Sequence, residues 1–270
     1  MKNTTENVIK NAEEGVMINV IDTTPYREFA KEKLGFGFRD INLLVTALTH
    51  RSYVNEHKTI APEHNERLEY LGDAVLELVT SDFLYRRYNE SEGVMTALRS
   101  ALVRTESIGA AGYELGYEPL VRLSHGEKHG TERAHDVIMA DCFEAVIGAI
   151  YLDQGYETAK EFIAKHILSK LDRVISEGTW RDPKSYVQEL TQSQYGTLPT
   201  YRTLRADGPD HNRHFAVAMY VNGELFAKGE GHSKQEAQTE AAKLGVKKYR
   251  QMLGPEIDNF KKNIELPAST

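Results

Sequence analysis

The chain has little of several features that mark particular classes of protein. Its one cysteine, Cys142, excludes an intramolecular disulfide bond and any cysteine-rich zinc site, and it fits a reducing compartment. No apolar run approaches the roughly 20 residues of a membrane helix, and the N-terminal segment lacks the apolar region of a signal peptide. We therefore expect a cytoplasmic protein without membrane contact.

The sequence also lacks an overall basic charge and several familiar catalytic signatures. The net charge is -7, so charge alone does not indicate nucleic-acid binding. The charge is uneven, however. Residues 182–250 carry ten basic and eight acidic side chains, a balance of +2, which leaves -9 for the remainder. Neither a phosphate-binding loop nor a Gly-x-Ser-x-Gly elbow occurs. This distribution is compatible with an acidic metal site beside a module that contacts phosphates.

The pattern of apolar residues divides the 270-residue chain into two domains. Helical periodicity dominates one long stretch, and a later stretch has the order α-β-β-β-α, with Asn222-Gly223 as a hairpin turn. We expect an all-α domain followed by a small α+β domain. The predicted segments are a polar extension over 1–24, the helical domain over 25–172, a linker over 173–181, the α+β domain over 182–251 and a tail over 252–270.

Within the helical domain, one predicted helix carries a ridge of acids. At about 100° per residue, Glu66, Glu69 and Asp73 fall within roughly 60° of one another. The opposite, core-facing stripe is predicted to contain Leu68, Leu71, Val75 and Leu78. The acidic ridge is either a solvated face or a site whose repulsion is offset by a basic partner or a divalent cation. Gly72 costs about 1 kcal/mol inside a helix, which suggests that another backbone packs closely against it.

A second predicted helix, over residues 137–152, is apolar on almost every side. Only Asp141 and Glu144 interrupt it, and their spacing places them on one face. Because ionised acids are rarely buried without a partner, we expect a metal or catalytic role, with pairing to Arg or Lys as the alternative. Cys142 is interpreted as a small core residue. Asp40 is predicted to cap a helix that begins at Ile41. A loop is predicted over 51–62, before the acidic helix.

Two helices that face one another could bring four carboxylates to one point: Glu69, Asp73, Asp141 and Glu144. Such a set of oxygen ligands suits Mg²⁺ or Mn²⁺ rather than zinc. A cation of this kind can polarise a phosphoryl group and activate water for hydrolysis of a phosphodiester. The sequence alone does not establish that the two helices converge.

Four stretches of the sequence resemble the ribonuclease III family in the family's own order. They are NERLEYLGDAVL at 65–76, ALTHRSY at 47–53, ADCFEA at 140–145 with GAIYLD at 148–153, and residues 182–251, which resemble a double-stranded RNA-binding domain. The resemblance implies a dimeric all-α nuclease with a valley for duplex RNA and a double-strand-specific endoribonuclease activity. It also implies products with 5′-phosphates, 3′-hydroxyls and short 3′ overhangs, from substrates such as ribosomal RNA precursors and structured messages.

The same resemblance implies roles for individual acids. Glu69, Asp73, Asp141 and Glu144 match the metal-binding carboxylates of the family. Asp73 and Glu144 match the pair usually called catalytic. Glu66 matches an acid at the edge of the site, and Glu92 matches a further acid of the valley. The implied cofactor is Mg²⁺, with Mn²⁺ as a substitute, and no small-molecule cofactor is expected.

The resemblance also implies how the second domain binds RNA. Duplex binders contact 2′-hydroxyls and phosphates over about 16 base pairs. Gln188 and Glu189 match residues that face one minor groove, His211 lies in a loop that enters the next, and Lys234 meets phosphates at a helix N-terminus. The family usually has adjacent basic residues here, whereas this chain has Gln235 after Lys234. We therefore expect weaker, salt-sensitive binding.

Two other functions remain open at this stage. A protein on the same fold could bind double-stranded RNA or ribosomes without catalysis, although this chain keeps all six matching acids. A metal-dependent phosphohydrolase of small molecules would leave residues 182–251 without a role.

Overall fold

The computed structural model describes residues 6–10, 17–57, 63–209 and 213–254. The chain divides into two compact units between Leu171 and Asp172. No helix in these described ranges has both the length and the apolarity needed to cross a membrane.

The first unit is helical after a short N-terminal hairpin. Its elements are β1 (Glu6–Lys10), β2 (Met17–Ile21), α1 (Thr24–Phe29), α2 (Ile41–Ala47), α3 (Arg51–Glu56), α4 (Glu66–Arg87), α5 (Glu92–Val103), α6 (Thr105–Leu115), α7 (Glu132–Gln154) and α8 (Tyr156–His166). The next helix, α9 (Leu171–Glu177), begins at the last residue of this unit and otherwise belongs to the second unit. β1 and β2 pair in antiparallel fashion, with Glu6 opposite Ile21. The expected helical domain is therefore confirmed, with these two strands added before it.

α7 is the central helix of this unit. It contacts α2, α4, α6 and α8, and the side chains from Ala145 to Ile150 are fully buried. The helix begins after Thr131, whose hydroxyl accepts a hydrogen bond from the Ala134 N–H. Near its end, the buried Asp153 accepts hydrogen bonds from the backbone N–H groups of Arg39 and Asp40, at 2.9 and 2.8 Å. This ties α7 to the start of α2.

Several local predictions differ from the structure. The predicted loop over 51–62 begins with the short helix α3, which His50 caps by accepting from the Ser52 N–H; residues 58–62 lie outside the described ranges.

Leu68 and Val75 are buried as predicted, but Leu78 is exposed, with 58% of its surface accessible. Leu78 lies about 80° around the helix from Leu68, which takes it beyond the edge of the buried stripe. The predicted cap Asp40 does accept from the Asn42 N–H.

The second unit has the predicted order of elements. They are α10 (Pro183–Tyr195), β3 (Thr200–Asp207), β4 (His214–Val221), β5 (Glu224–Gly231) and α11 (Lys234–Leu253). The three strands form one antiparallel sheet in the order β3-β4-β5. Asn222 and Gly223 have φ values of 50° and 83°, as a two-residue hairpin turn with two left-handed positions requires.

The core of the second unit lies between its two helices and the sheet. Val187, Met219, Ala241 and Tyr249 belong to it and are fully buried. A Cβ built on Gly229 in β5 would lie 2.1 Å from the Ala241 nitrogen, so α11 packs directly against the strand backbone. Residues of the predicted linker take part in structure as well: α9 extends to Glu177, and Trp180 is buried within this unit.

Candidate active site and RNA-binding surface

The two acidic helices meet at glycines. A Cβ built on Gly72 of α4 would lie 1.7 Å from the carbonyl oxygen of Glu144 in α7, and one built on Gly148 would lie 2.3 Å from the carbonyl oxygen of Leu68. Two helix backbones can approach this closely only where no side chain stands between them. The close approach expected from Gly72 is thus present, and it brings the acids of α4 beside those of α7.

The two acids of α7 are less buried than the apolar residues around them. Cys142, Phe143 and Ala145 are fully buried, whereas Asp141 and Glu144 are half-buried. Cys142 is a core residue, as predicted: burial raises the pKa of its thiol to about 12, and the Asn65 side-chain amide donates to its sulfur at 3.7 Å. The position of this cysteine therefore fits packing rather than nucleophilic chemistry.

Among the acids of the cluster, Glu144 has the most strongly raised pKa. Its pKa is raised to about 8, first by burial of the carboxyl group and then by the nearby charges of Asp73, Glu69 and Asp141, in that order. Among the described residues, Glu144 makes no hydrogen bond and no ion pair with a basic side chain. A carboxyl group in this environment ionises fully at neutral pH only if a cation compensates the charge.

Glu69 and Asp141 are in the same environment. Burial, followed by the charges of Asp141, Glu66 and Asp73, raises the pKa of Glu69. Burial also raises the pKa of Asp141, which the nearby His50 lowers in part. The charges of four carboxylates therefore repel one another: those of Glu69, Asp73, Asp141 and Glu144. No arginine or lysine of the described chain bridges them.

Glu66 lies at the outer edge of this cluster. It is exposed at the first position of α4, 3.3 Å from the Arg51 guanidinium and 3.8 Å from the His64 ring nitrogen. Its charge raises the pKa values of Glu69 and Asp141. The structure therefore places Glu66 beside the cluster but gives it a basic partner that the four central carboxylates lack.

Glu92 is not brought into the cluster within one chain. It is the first residue of α5, and its carboxylate accepts a hydrogen bond from the Thr96 hydroxyl at 3.0 Å. It lines a groove of about 450 Å³ with Leu78, Tyr85 and Met95. Its charge is not among those that raise the pKa of Glu144.

His50, whose sequence position indicates a surface or capping group rather than a ligand, caps α3 and also lies near the acids. Burial lowers the pKa of its ring, while Glu127, Asp141 and Glu66 raise it. The ring nitrogen Nδ1 lies 2.8 Å from the Ser52 hydroxyl, and that hydroxyl accepts from the Ser124 N–H. The available signal was the position of His50 just after the apolar helix α2, but a lone histidine does not indicate by itself which distant acids it approaches.

The donor set can be compared with the needs of a divalent cation. Among the described residues, no three His, Cys, Asp or Glu side chains are arranged as ready ligands of one ion. The chemistry of the set nevertheless fits Mg²⁺: it offers carboxylate oxygens alone, partly buried, with raised pKa values and no basic partner. Zinc would favour nitrogen and sulfur ligands.

The second unit presents the residues expected to contact RNA on two helices. Gln188 and Glu189 are exposed on α10, and Lys234 and Gln235 are exposed in the first turn of α11. Ser233 caps α11 by accepting from the Glu236 N–H, which leaves other N–H groups of that turn facing outward. His211 lies outside the described residues.

Comparison with known proteins agrees with both units. Residues 40–171 match the family model described as ribonuclease-III-like, and residues 183–249 match the double-stranded RNA binding motif. A protein named Ribonuclease 3 from Bacillus cereus strain G9842 is 44% identical over 237 residues, which cover 85% of this chain and 95% of that protein. Ribonuclease 3 of Streptococcus gordonii is 40% identical over 218 residues, 80% of this chain and 94% of the other.

Among solved structures, the nuclease domain of ribonuclease III from Campylobacter jejuni matches with a TM-score of 0.46 and 36% identity, over 52% of this chain and 96% of that one. The two sequence comparisons cover most of the chain and most of each relative. The protein is therefore a helical nuclease joined to a double-stranded RNA-binding domain. It belongs to the ribonuclease III family and is an endoribonuclease that acts on double-stranded RNA.

Proposed function

We propose that this protein hydrolyses phosphodiester bonds of duplex RNA with Mg²⁺ held by Glu69, Asp73, Asp141 and Glu144, and that Mn²⁺ can replace it. The observation that carries the proposal is the close packing of α4 against α7, which brings two acids of each helix near enough to influence one another's charge, with no basic partner among the described residues. Three of these carboxyl groups have raised pKa values. The free energy of this repulsion is what a divalent cation would relieve.

The roles of the acids follow from their positions. Asp73 and Glu144 lie on facing helices and would hold the cation between them, with Glu69 and Asp141 completing the oxygen set. When bound, the cation supplies Lewis-acid polarisation of the phosphodiester and stabilises the charge on the leaving oxygen. Glu66, already paired with Arg51, would assist at the edge where RNA enters. We propose products with 5′-phosphates, 3′-hydroxyls and short 3′ overhangs.

Binding of the duplex is proposed to use the second unit. Gln188 and Glu189 on α10 would accept hydrogen bonds from 2′-hydroxyls in a minor groove, and the Gln188 amide could also donate one; contacts of this kind distinguish A-form RNA from DNA. Lys234 and the free N–H groups at the start of α11 offer positive potential to a phosphate. His211 is proposed for the adjacent minor groove. Gln235 is proposed to reach the same phosphates without adding charge.

A homodimer through the nuclease unit is also part of the proposal. Tyr70, Leu78 and Tyr85 project from one side of α4 with 81%, 58% and 72% of their surface exposed. Exposed large apolar side chains aligned on one helix mark an interaction surface. The groove that contains Glu92 lies on this side and is lined by Leu78 and Tyr85, so Glu92 would act at the dimer valley rather than within its own cluster.

The proposed substrates are precursors of ribosomal RNA and structured messages, and the proposed location is the cytoplasm, which the single unpaired cysteine fits.

The experiment compares wild type, Glu144→Gln and the control Glu157→Gln on a perfect RNA duplex, with Mg²⁺ and with EDTA. Glu157 is exposed on α8. We expect Glu144→Gln to bind the duplex normally and to cut at least about 100-fold more slowly, and Glu157→Gln to behave as wild type. EDTA should abolish cutting by all three. If wild type binds but does not cut under any condition, the protein is a binding module. If mononucleotides compete with the duplex, the substrate is a small molecule.

A further inference from the structure

The segment just before α10 carries an arginine, Arg181, that stacks on two aromatic rings. The Arg181 guanidinium carbon lies 4.4 Å from the ring centroid of Trp180 and 4.2 Å from that of Tyr186. Both rings are buried, with 6% and 2% of their surface exposed. Stacking on an aromatic face stabilises a guanidinium and restricts its motion. Arg181 is therefore a preorganised cation at a site that the sequence interpretation assigned to a linker.

This cation contacts one of the residues proposed to bind RNA. The Nη1 atom of Arg181 donates to the Glu189 carboxylate at 3.2 Å. Glu189 is otherwise well exposed on α10, with 68% of its side chain accessible. An isolated surface ion pair contributes little to stability, so folding alone gives no strong reason to stack an arginine here and aim it at this carboxylate.

The negative charge of Glu189 opposes its binding to RNA. A carboxylate that enters the minor groove of a duplex approaches two rows of phosphates and is repelled by them. A guanidinium 3.2 Å away offsets the negative charge and holds the carboxylate in one orientation, while it leaves an oxygen free to accept a hydrogen bond. Without that cation, the carboxylate would be mobile and would be repelled.

We propose that Arg181 is a positioning residue for RNA binding: stacked on Trp180 and Tyr186, it orients and neutralises Glu189 so that Glu189 accepts a hydrogen bond from a 2′-hydroxyl. The proposal rests on the minor-groove role proposed above for Glu189. It extends the RNA-binding unit at least to Trp180, three residues before the matched motif begins at residue 183.

The test is a double-mutant cycle on the full-length protein in EDTA, which prevents cutting, with Kd measured for a perfect RNA duplex. The variants are Arg181→Gln, Glu189→Ala, which removes the acceptor oxygens, and both together. Arg173→Gln is the matched control, because Arg173 pairs with Glu177 in the same unit at 2.8 Å and its loss removes the same charge. We expect each single variant to weaken binding about fivefold, and Arg181→Gln to have little further effect in the background of Glu189→Ala. The control should change Kd less than about twofold.

Two further measurements separate positioning from folding and from direct phosphate contact. A duplex with 2′-fluoro groups stays A-form but cannot donate to Glu189, so wild type should prefer the hydroxyl duplex and Arg181→Gln should lose that preference. Arg181→Lys should recover part of the affinity, since it restores the charge without the planar stack. The fluorescence of Trp180, the single tryptophan, together with the Tm, reports whether each variant keeps its fold.

The outcomes are distinct. Additive losses with a salt slope reduced by about one would mean that Arg181 contacts phosphate directly, and positioning would be overturned. A loss in Glu189→Ala without a loss in Arg181→Gln would also overturn it. If Glu189→Ala has no effect while Lys234→Gln weakens binding, the role of Glu189 and the positioning by Arg181 are both withdrawn, but the proposed RNA-binding function is kept.

Discussion

Gly72 of α4 faces the peptide carbonyl of Glu144 in α7 at a distance that no side chain could enter: a Cβ at Gly72 would stand 1.7 Å from that oxygen. Glu144 is the acid with the most strongly raised pKa in the cluster. The packing of the two helices and the position of this carboxylate are therefore set by the same contact.

The first prediction concerns that contact. Gly72→Ala gains about 1 kcal/mol in helix propensity, but its methyl group forces the two backbones apart at a cost that we expect to exceed the gain by about 3 kcal/mol. Urea unfolding should show this loss, and nuclease activity should fall about tenfold or more because the carboxylates separate. The control is Gly37→Ala, where a Cβ meets nothing within 4 Å. Equal stability of the two variants would contradict the contact.

The second prediction concerns the pH dependence of stability without metal. Burial and neighbouring acids raise the pKa of Glu144 from 4.5 to about 8 in the folded protein. Between these pH values, Glu144 is protonated in the folded protein and ionised in the unfolded chain. The free energy of unfolding contributed by Glu144 therefore falls as pH rises from about 4.5 to 8. In EDTA, the Tm of Glu144→Gln should rise relative to wild type over this range.

Glu157→Gln serves as the control for this measurement, since Glu157 is exposed on α8. Its Tm should follow that of wild type at every pH, so that the difference reports Glu144 alone. A wild-type and Glu144→Gln pair whose Tm difference stays constant from pH 5 to 8 would show that Glu144 titrates normally.

The third prediction concerns the start of α11. Gln235→Lys adds a cation beside Lys234, where the helix N-terminus already favours phosphate. We expect tighter binding of duplex RNA and a salt dependence of log K that is steeper by about one. Gln251→Lys adds the same charge near the other end of the helix, where Gln251 is also exposed, and should leave the slope as it is. An unchanged slope in Gln235→Lys would mean that this turn does not meet phosphates.

The fourth prediction concerns the exposed side of α4. Leu78→Asp places a charge in the centre of the stripe that also contains Tyr70 and Tyr85, and burying an unpaired charge at an interface is costly. Sedimentation should show that wild type is a dimer and that Leu78→Asp is largely a monomer. Leu204→Asp is the control: Leu204 is 50% exposed on β3, in the other unit. A monomeric wild type would exclude the dimer altogether.

Much of the fold was predictable because its determinants are local. The period of apolar residues predicted α4 and α7, Asn222-Gly223 predicted the turn between β4 and β5, and Asp40 predicted the start of α2. These depend on residues within one or two turns of each other. Gly72 predicted a close neighbouring backbone, since a glycine in a helix interior is costly without one.

The features that the sequence did not predict depend on residues distant in the chain. Leu78 fits an apolar stripe by its type, but it lies about 80° around the helix from Leu68, and how far the buried stripe extends depends on the helices packed against α4. Glu92 matches the family's pattern, but the single chain places it in a separate groove from Glu144. Arg181 lies in a segment that resembles a linker, and its significance came from the stacking of Trp180 and Tyr186.

The sequence by itself determined which acids are candidates for the chemistry and where the long helices and the strands of the second unit form, because side-chain type and local spacing act over a few residues. Only the tertiary structure decided that Glu144 stands among Glu69, Asp73 and Asp141, since that depends on two glycines, Gly72 and Gly148, that bring two helix backbones into contact. The pKa of Glu144 is a consequence of that contact: burial and like charges act through space, and no pattern along the chain specifies them.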